Sequence, residues 1–176
     1  MFSGRKLPRP SDLVALAAIA ASGGASVAVD LKTRHVPNAL TFGTAAAGLV
    51  LAATHGTSLS PGAALAGLAL GLTLMLPGHV VGATGAGDVK LFAALGTLLG
   101  PKGILVAFVY TLITGGLLAL VVAVSRRRLA VTIERTASLV RTGGSNVSEI
   151  EHASADNRFA YAPAIAVGAL AAALGF

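Results

Sequence analysis

Asp30 and Asp88 are the residues of this chain whose surroundings call for an explanation. Asp88 sits in Gly85-Ala86-Gly87-Asp88-Val89-Lys90, inside a stretch apolar enough to enter a membrane, and Asp30 stands at the end of the first hydrophobic segment. A carboxylate at membrane depth is costly and marks a functional site by default. Two such groups held close cannot both ionise readily, so they share a proton. One then acts as base toward water while the other polarises a carbonyl. Peptide hydrolysis follows from such a pair without metal or thiol. The plainer reading is two helix-end aspartates, Asp88 complementing a helix N-terminus and Asp30 reaching water.

The elements that must position these acids are membrane helices. Hydrophobic residues make up 55% of the chain and charged residues only 11%, against about 25% charged in soluble domains. The mean hydropathy is +0.81. An integral membrane protein is expected, all-α, as one membrane-embedded bundle over residues 1–176. The 176 residues leave room for about six spans of roughly 20 residues each. Cysteine is absent, which excludes disulfides and thiolate metal sites.

Segment one is expected from about Leu13 to Val29, and segment two from about Ala39 to Thr54. Pro61 opens segment three, about Gly62 to Gly78, because proline suits a first helical turn. Val80 to Leu99 is broken by glycines and reads as a loop that re-forms a helix near Asp88 and stops before Pro101. Segment five covers Ile104 to Val124, and segment six Phe159 to Leu174. Residues 126–158 form a polar loop. Apolar residues at Leu129, Ile133, Ala137 and Val140 fit an interfacial helix there, with a mobile loop an equal alternative. The N-terminal segment also has the marks of a cleavable signal peptide, but it is long enough to span and leads into a charged loop.

The formal charge of +6 is explained by basic loops rather than by nucleic acid. With six spans, nine basic residues (Lys32, Arg34, Lys90, Arg126, Arg127, Arg128, Arg135, Arg141, Arg158) share one side and four (Arg5, Lys6, Arg9, Lys102) the other. Positive-inside bias therefore puts the Asp30 and Asp88 loops in the cytoplasm. Both carboxylates then lie at the same membrane face.

Gly85 and Gly87 leave the backbone before Asp88 clear for a close approach by another chain, as a protease aligning an extended peptide requires. With these residues in view, Gly85-Ala86-Gly87-Asp88 resembles the GxGD motif of the type IV prepilin peptidases, a family of membrane aspartic proteases. Asp30, Arg34, Val36, Pro37 and Asn38 resemble the family's first signature, with valine in place of isoleucine. Tyr161-Ala162-Pro163-Ala164-Ile165-Ala166 resembles its proline-bearing last span. The resemblance implies Asp30 and Asp88 as the catalytic pair, with Gly85, Gly87, Lys90, Pro37 and Asn38 shaping the site. It implies a pilin-like precursor as substrate, cut at the cytoplasmic face of the inner membrane, with no cofactor. Larger members carry a cysteine-bound zinc domain and N-methylate the product. This chain has neither cysteine nor that insertion and resembles the compact tight-adherence (Flp-type) or archaeal preflagellin branch, so methyltransfer is not expected.

His35 and His79 read as solvated loop residues rather than metal ligands, and Arg126 to Arg128 as a lipid-phosphate cluster. Lys90 either lowers the pKa of Asp88 or anchors lipid headgroups. Asn38 reads as the cap of segment two, or as a residue that helps set the Asp30 loop. A homo-oligomer is compatible with this pattern. The rival functions are an ion- or proton-coupled transporter using Asp30 and Asp88 as a relay, and an inactive pilus-assembly subunit. Segments three, five and six offer almost no polar side chains to line an ion path.

Overall fold

The computed structural model describes residues 10–33, 36–80, 84–125 and 161–175. Every element among them is helical: α1 (Pro10–Thr33), α2 (Asn38–Ala53), α3 (Pro61–Val80), α4 (Ala86–Ser125) and α5 (Ala162–Ala173). Three stretches are long and apolar enough to cross a membrane: Ser11–Thr33, Pro61–Val80 and Ala86–Val122. α2 and α5 are apolar but shorter.

α4 is not one rod. Gly100 has φ 67° and ψ −178°, a conformation closed to residues with a Cβ, and Pro101 follows at a position where a helix can restart. Phe92 and Phe108 would lie about 24 Å apart on a straight helix. Their ring centroids are instead 6.0 Å apart, edge to face. The chain therefore doubles back at Gly100 into two limbs, residues 86–99 and 101–125. The expected stop before Pro101 is where the sequence placed it.

The first limb is the centre of the molecule. Val89, Leu91, Phe92, Leu95 and Leu98 are buried there, with Ile104, Ala107 and Ile165 packed into the same core. α3 covers this limb with small residues. Its buried positions include Ala64, Gly67 and Gly71, while Leu65, Leu72 and Leu76 face outward. Small residues inside and leucine outside is how helices pack in lipid, where close backbone approach replaces the hydrophobic drive. Gly67 and Gly96 meet backbone to backbone, so a Cβ on either would strike the other's carbonyl.

Several boundaries differ from those expected. α1 continues to Thr33, so Asp30 lies within its last turn rather than after it. α3 runs through Pro77 to Val80 rather than stopping at Gly78, whereas the helix carrying Asp88 restarts at Ala86, as expected. α5 begins at Ala162 rather than Phe159. Arg34, His35, the Arg126–Arg128 cluster, the candidate interfacial helix and the rest of the polar loop at 126–158 lie outside the described residues.

Candidate active site

Asp30 faces inward because of its register on α1. Ile19, Gly23, Ser26 and Asp30 are all buried, and their spacing of three and four residues draws a single stripe along a helix. That stripe faces α5, where a Cβ on Gly23 would lie 3.2 Å from Ala166 Cβ. At the end of the stripe the Ala162 backbone N–H donates to Asp30 Oδ2 at 3.3 Å. Ala162 is the first residue of α5, so Asp30 occupies another helix's N-terminus, which favours a carboxylate.

Asp88 sits at the N-terminus of its own helix. The Gly85 carbonyl accepts from Asp88 N at 3.1 Å and Val89 N at 3.2 Å, and the Gly85 N–H donates back to Asp88 Oδ2 at 3.2 Å. This is the reciprocal half of a capping box, so the helix-end reading of Asp88 describes a real contact. It does not account for the neighbour. Asp30 is 5% exposed and Asp88 9%, and the charge of Asp30 acts on Asp88. A cap needs no second acid, and two buried carboxylates in each other's field repel unless a proton is shared.

The loop between α1 and α2 is fastened to the start of α4 at two points. Val36 is buried and packs on Gly87, where an added Cβ would lie 3.2 Å from Val36 Cβ and 3.4 Å from its backbone N and O. Glycine at 87 permits that approach. Lys90 Nζ donates to Asn38 Oδ1 at 3.0 Å, tying α4 to the first residue of α2. One reading of the sequence is corrected here. The capping position of α2 is held by Pro37, whose carbonyl accepts from Leu40 N at 3.1 Å and Thr41 N at 3.3 Å, with no side-chain cap. Asn38 instead accepts from the Lys90 ammonium.

On the far side of the glycine motif, the His79 ring Nδ1 and the Thr84 carbonyl are 3.0 Å apart, with the ring N–H as donor. Among the described residues no three His, Asp or Glu side chains gather as a metal site would.

One residue of this neighbourhood was quoted from the sequence only as part of a family motif, without a role. Tyr161 precedes the N–H that holds Asp30, and the charge of Asp88 acts on its phenol. Its ring rests on Gly115 of the second limb, where an added Cβ would lie 2.7 Å from both Cε2 and the hydroxyl oxygen. The available signal was the Gly115-Gly116 pair inside an apolar span, and nothing local links it to position 161.

A bundle that is all-helical among the described residues, with long apolar helices and buried Asp30 and Asp88, has the makeup of a membrane protein. The chain matches the type IV leader peptidase family over residues 15–120, and it belongs to that family. It is thus a membrane protein of leader-peptidase type. Comparison with curated proteins and with solved structures gave no match.

Proposed function

We propose that this chain is an aspartic endopeptidase that removes the leader of type IV pilin-like precursors of the Flp (tight-adherence) kind. The observation that carries this reading is the pair of buried carboxylates, each held through Oδ2 by a helix N-terminal N–H. Backbone donors fix the acids without adding side chains to the site, so the pair is preorganised for chemistry.

In the reaction, the ionised member of the pair takes a proton from water as its oxygen attacks the scissile carbonyl carbon. The protonated member gives its proton to the carbonyl oxygen, forming a neutral tetrahedral diol. Collapse breaks the C–N bond: one diol hydroxyl returns its proton to the aspartate that protonated the carbonyl oxygen, and the departing amine takes up the proton that the base received. No cofactor enters. Gly85 keeps the backbone before Asp88 free of a side chain, Gly87 admits Val36, and Val36, Pro37, Asn38 and Lys90 form the wall of the site.

The reading extends to topology. α1, α2, α3, both limbs of α4 and α5 make six passes of one domain, with the acid end facing the cytoplasm in the inner membrane. A pilin-like precursor, whose hydrophobic helix stays in the bilayer, then presents its cleavage point at the depth of the acids.

The test is co-expression with a pilin-like precursor bearing a basic leader, followed by gel shift. The wild type should shorten the precursor. Asp30→Asn and Asp88→Asn, at matched membrane levels, should each reduce processing by about a hundredfold or more, and the double variant should be no worse. Processing by Asp30→Asn at the wild-type rate would dissolve the pair.

A further inference from the structure

The peptide unit joining Thr84 to Gly85 carries a hydrogen bond at each end. Its N–H donates to Asp88 Oδ2 at 3.2 Å. Its carbonyl oxygen lies 3.0 Å from the His79 ring Nδ1. A carbonyl oxygen only accepts, so Nδ1 carries the proton and the imidazole donates. His79 therefore reaches Asp88 through a single planar group, although it stands on a different helix, α3.

That group has little freedom. A trans peptide is flat, with its C=O and N–H pointing in opposite directions, so whatever aims the carbonyl also aims the N–H. The Gly85 carbonyl is the first acceptor of α4, taking Asp88 N and Val89 N. The Thr84 carbonyl is thus left outside the ladder of that helix and open to His79. Thr84 is held on two further sides. Its N–H donates to the Gly78 carbonyl at 3.2 Å, and its side chain packs on Gly78, where an added Cβ would lie 3.3 Å from Oγ1 and 3.4 Å from Cγ2. Beyond the same peptide, a Cβ on Gly85 would lie 3.1 Å from Asp88 Oδ2, so the carboxylate sits close against this backbone.

A histidine near a helix C-terminus often does no more than satisfy a carbonyl there. Here the carbonyl lies beyond the helix, in the peptide whose own N–H holds the acid. Hydrogen bonds in series strengthen one another by about 10–30% per bond, so donation by His79 reinforces the N–H that Asp88 receives. Resting on the aspartate-pair reading, we propose that His79 is a positioning residue for Asp88, acting through the Thr84–Gly85 peptide. It fixes the N–H that engages Oδ2 and so leaves Oδ1 as the oxygen that meets water or the substrate carbonyl.

Kinetics of leader removal by the full chain in detergent, with a pilin-like precursor as probe and melting temperatures on the same samples, test this. His79 is exposed, so its replacement disturbs no core packing. His79→Leu and His79→Phe delete the donor, the second keeping a ring. Each should lower kcat by about three- to tenfold with KM nearly unchanged, the scale of one net hydrogen bond lost from the barrier. His79→Asn places an amide N–H where Nδ1 stands and should recover most of the wild-type kcat. Wild-type kcat in both donor-free variants, with Asp30→Asn and Asp88→Asn inactive in the same assay, overturns the role of His79 and leaves the pair standing. A lower melting temperature or a raised KM with kcat intact overturns it too, because His79 then only fastens the end of α3. So does His79→Asn that is as slow as His79→Leu. Undiminished cleavage by the aspartate variants removes the pair, and this inference with it.

Discussion

At the scale of single residues, the site is held by backbone and by small side chains more than by charge. Asp30 and Asp88 each receive a peptide N–H, and Gly87 lets Val36 come close enough to close the wall beside them. Gly87→Ala asks Val36 to yield by a few tenths of an ångström, whereas Gly87→Leu must push the loop away. We expect Gly87→Ala to retain measurable processing. Gly87→Leu should lose it together with about 1–3 kcal/mol of stability, the usual range for overpacking, read as a lower melting temperature in detergent. Equal activity of the two variants would show that the contact with Val36 has no bearing on the site. The Lys90–Asn38 bond is exposed, and an exposed polar pair contributes little, up to about 1 kcal/mol. Lys90→Met should leave the melting temperature almost unchanged. Asp12→Asn is a suitable control for the acids, because Asp12 lies on α1 about 27 Å from Asp30, where it accepts from the Ser58 hydroxyl. It should process at the wild-type rate.

At the scale of elements, the bundle depends on helices that can approach closely. Gly67 and Gly96 touch through their backbones, so Gly96→Ala drives a methyl into the α3 carbonyl rather than into a yielding side chain. We expect it to destabilise the protein by about 1–3 kcal/mol or more and to reduce its accumulation in the membrane. Gly96→Ala melting at the wild-type temperature would argue against the contact. Much of this level was legible beforehand. The apolar segments, the restart near Asp88 and the break before Pro101 follow from hydropathy and from proline and glycine chemistry. What was not legible depends on contacts across the fold. Asn38 looks like a cap by residue type, but Pro37 already sits at the capping position in an extended conformation, and the amide is drawn to Lys90, 52 residues on. Position 161 is singled out only by Gly115, which no local pattern connects to it. The boundaries at Thr33 and Val80 slipped for a different reason: apolar periodicity does not say where a helix end frays.

At the scale of the whole molecule, the two ends of the bundle are chemically unlike. One end gathers Asp30, Val36, Asn38, Asp88, Lys90 and Tyr161. The other gathers Asp12 with Ser58 and the turn at Gly100, against which Leu59 packs. If the acid end faces the cytoplasm, a cysteine introduced at Thr33 should resist an impermeant thiol reagent in intact cells, while one at Ser58 should label. Labelling of the Thr33 position from outside would reverse the orientation. The order of the chain adds something else. Asp30 is set by α5, 132 residues later, and α5 lies beyond the stretch 15–120 that carries the family match. A polypeptide emerging from the ribosome holds both acids long before it holds the N–H that fixes one of them. Residues 1–125 expressed alone should therefore be inert toward a precursor, and supplying 126–176 as a separate fragment should restore cleavage. On the reading proposed above, a chain made only as far as residue 125 would spare passing substrates, because the N–H that fixes Asp30 comes with α5.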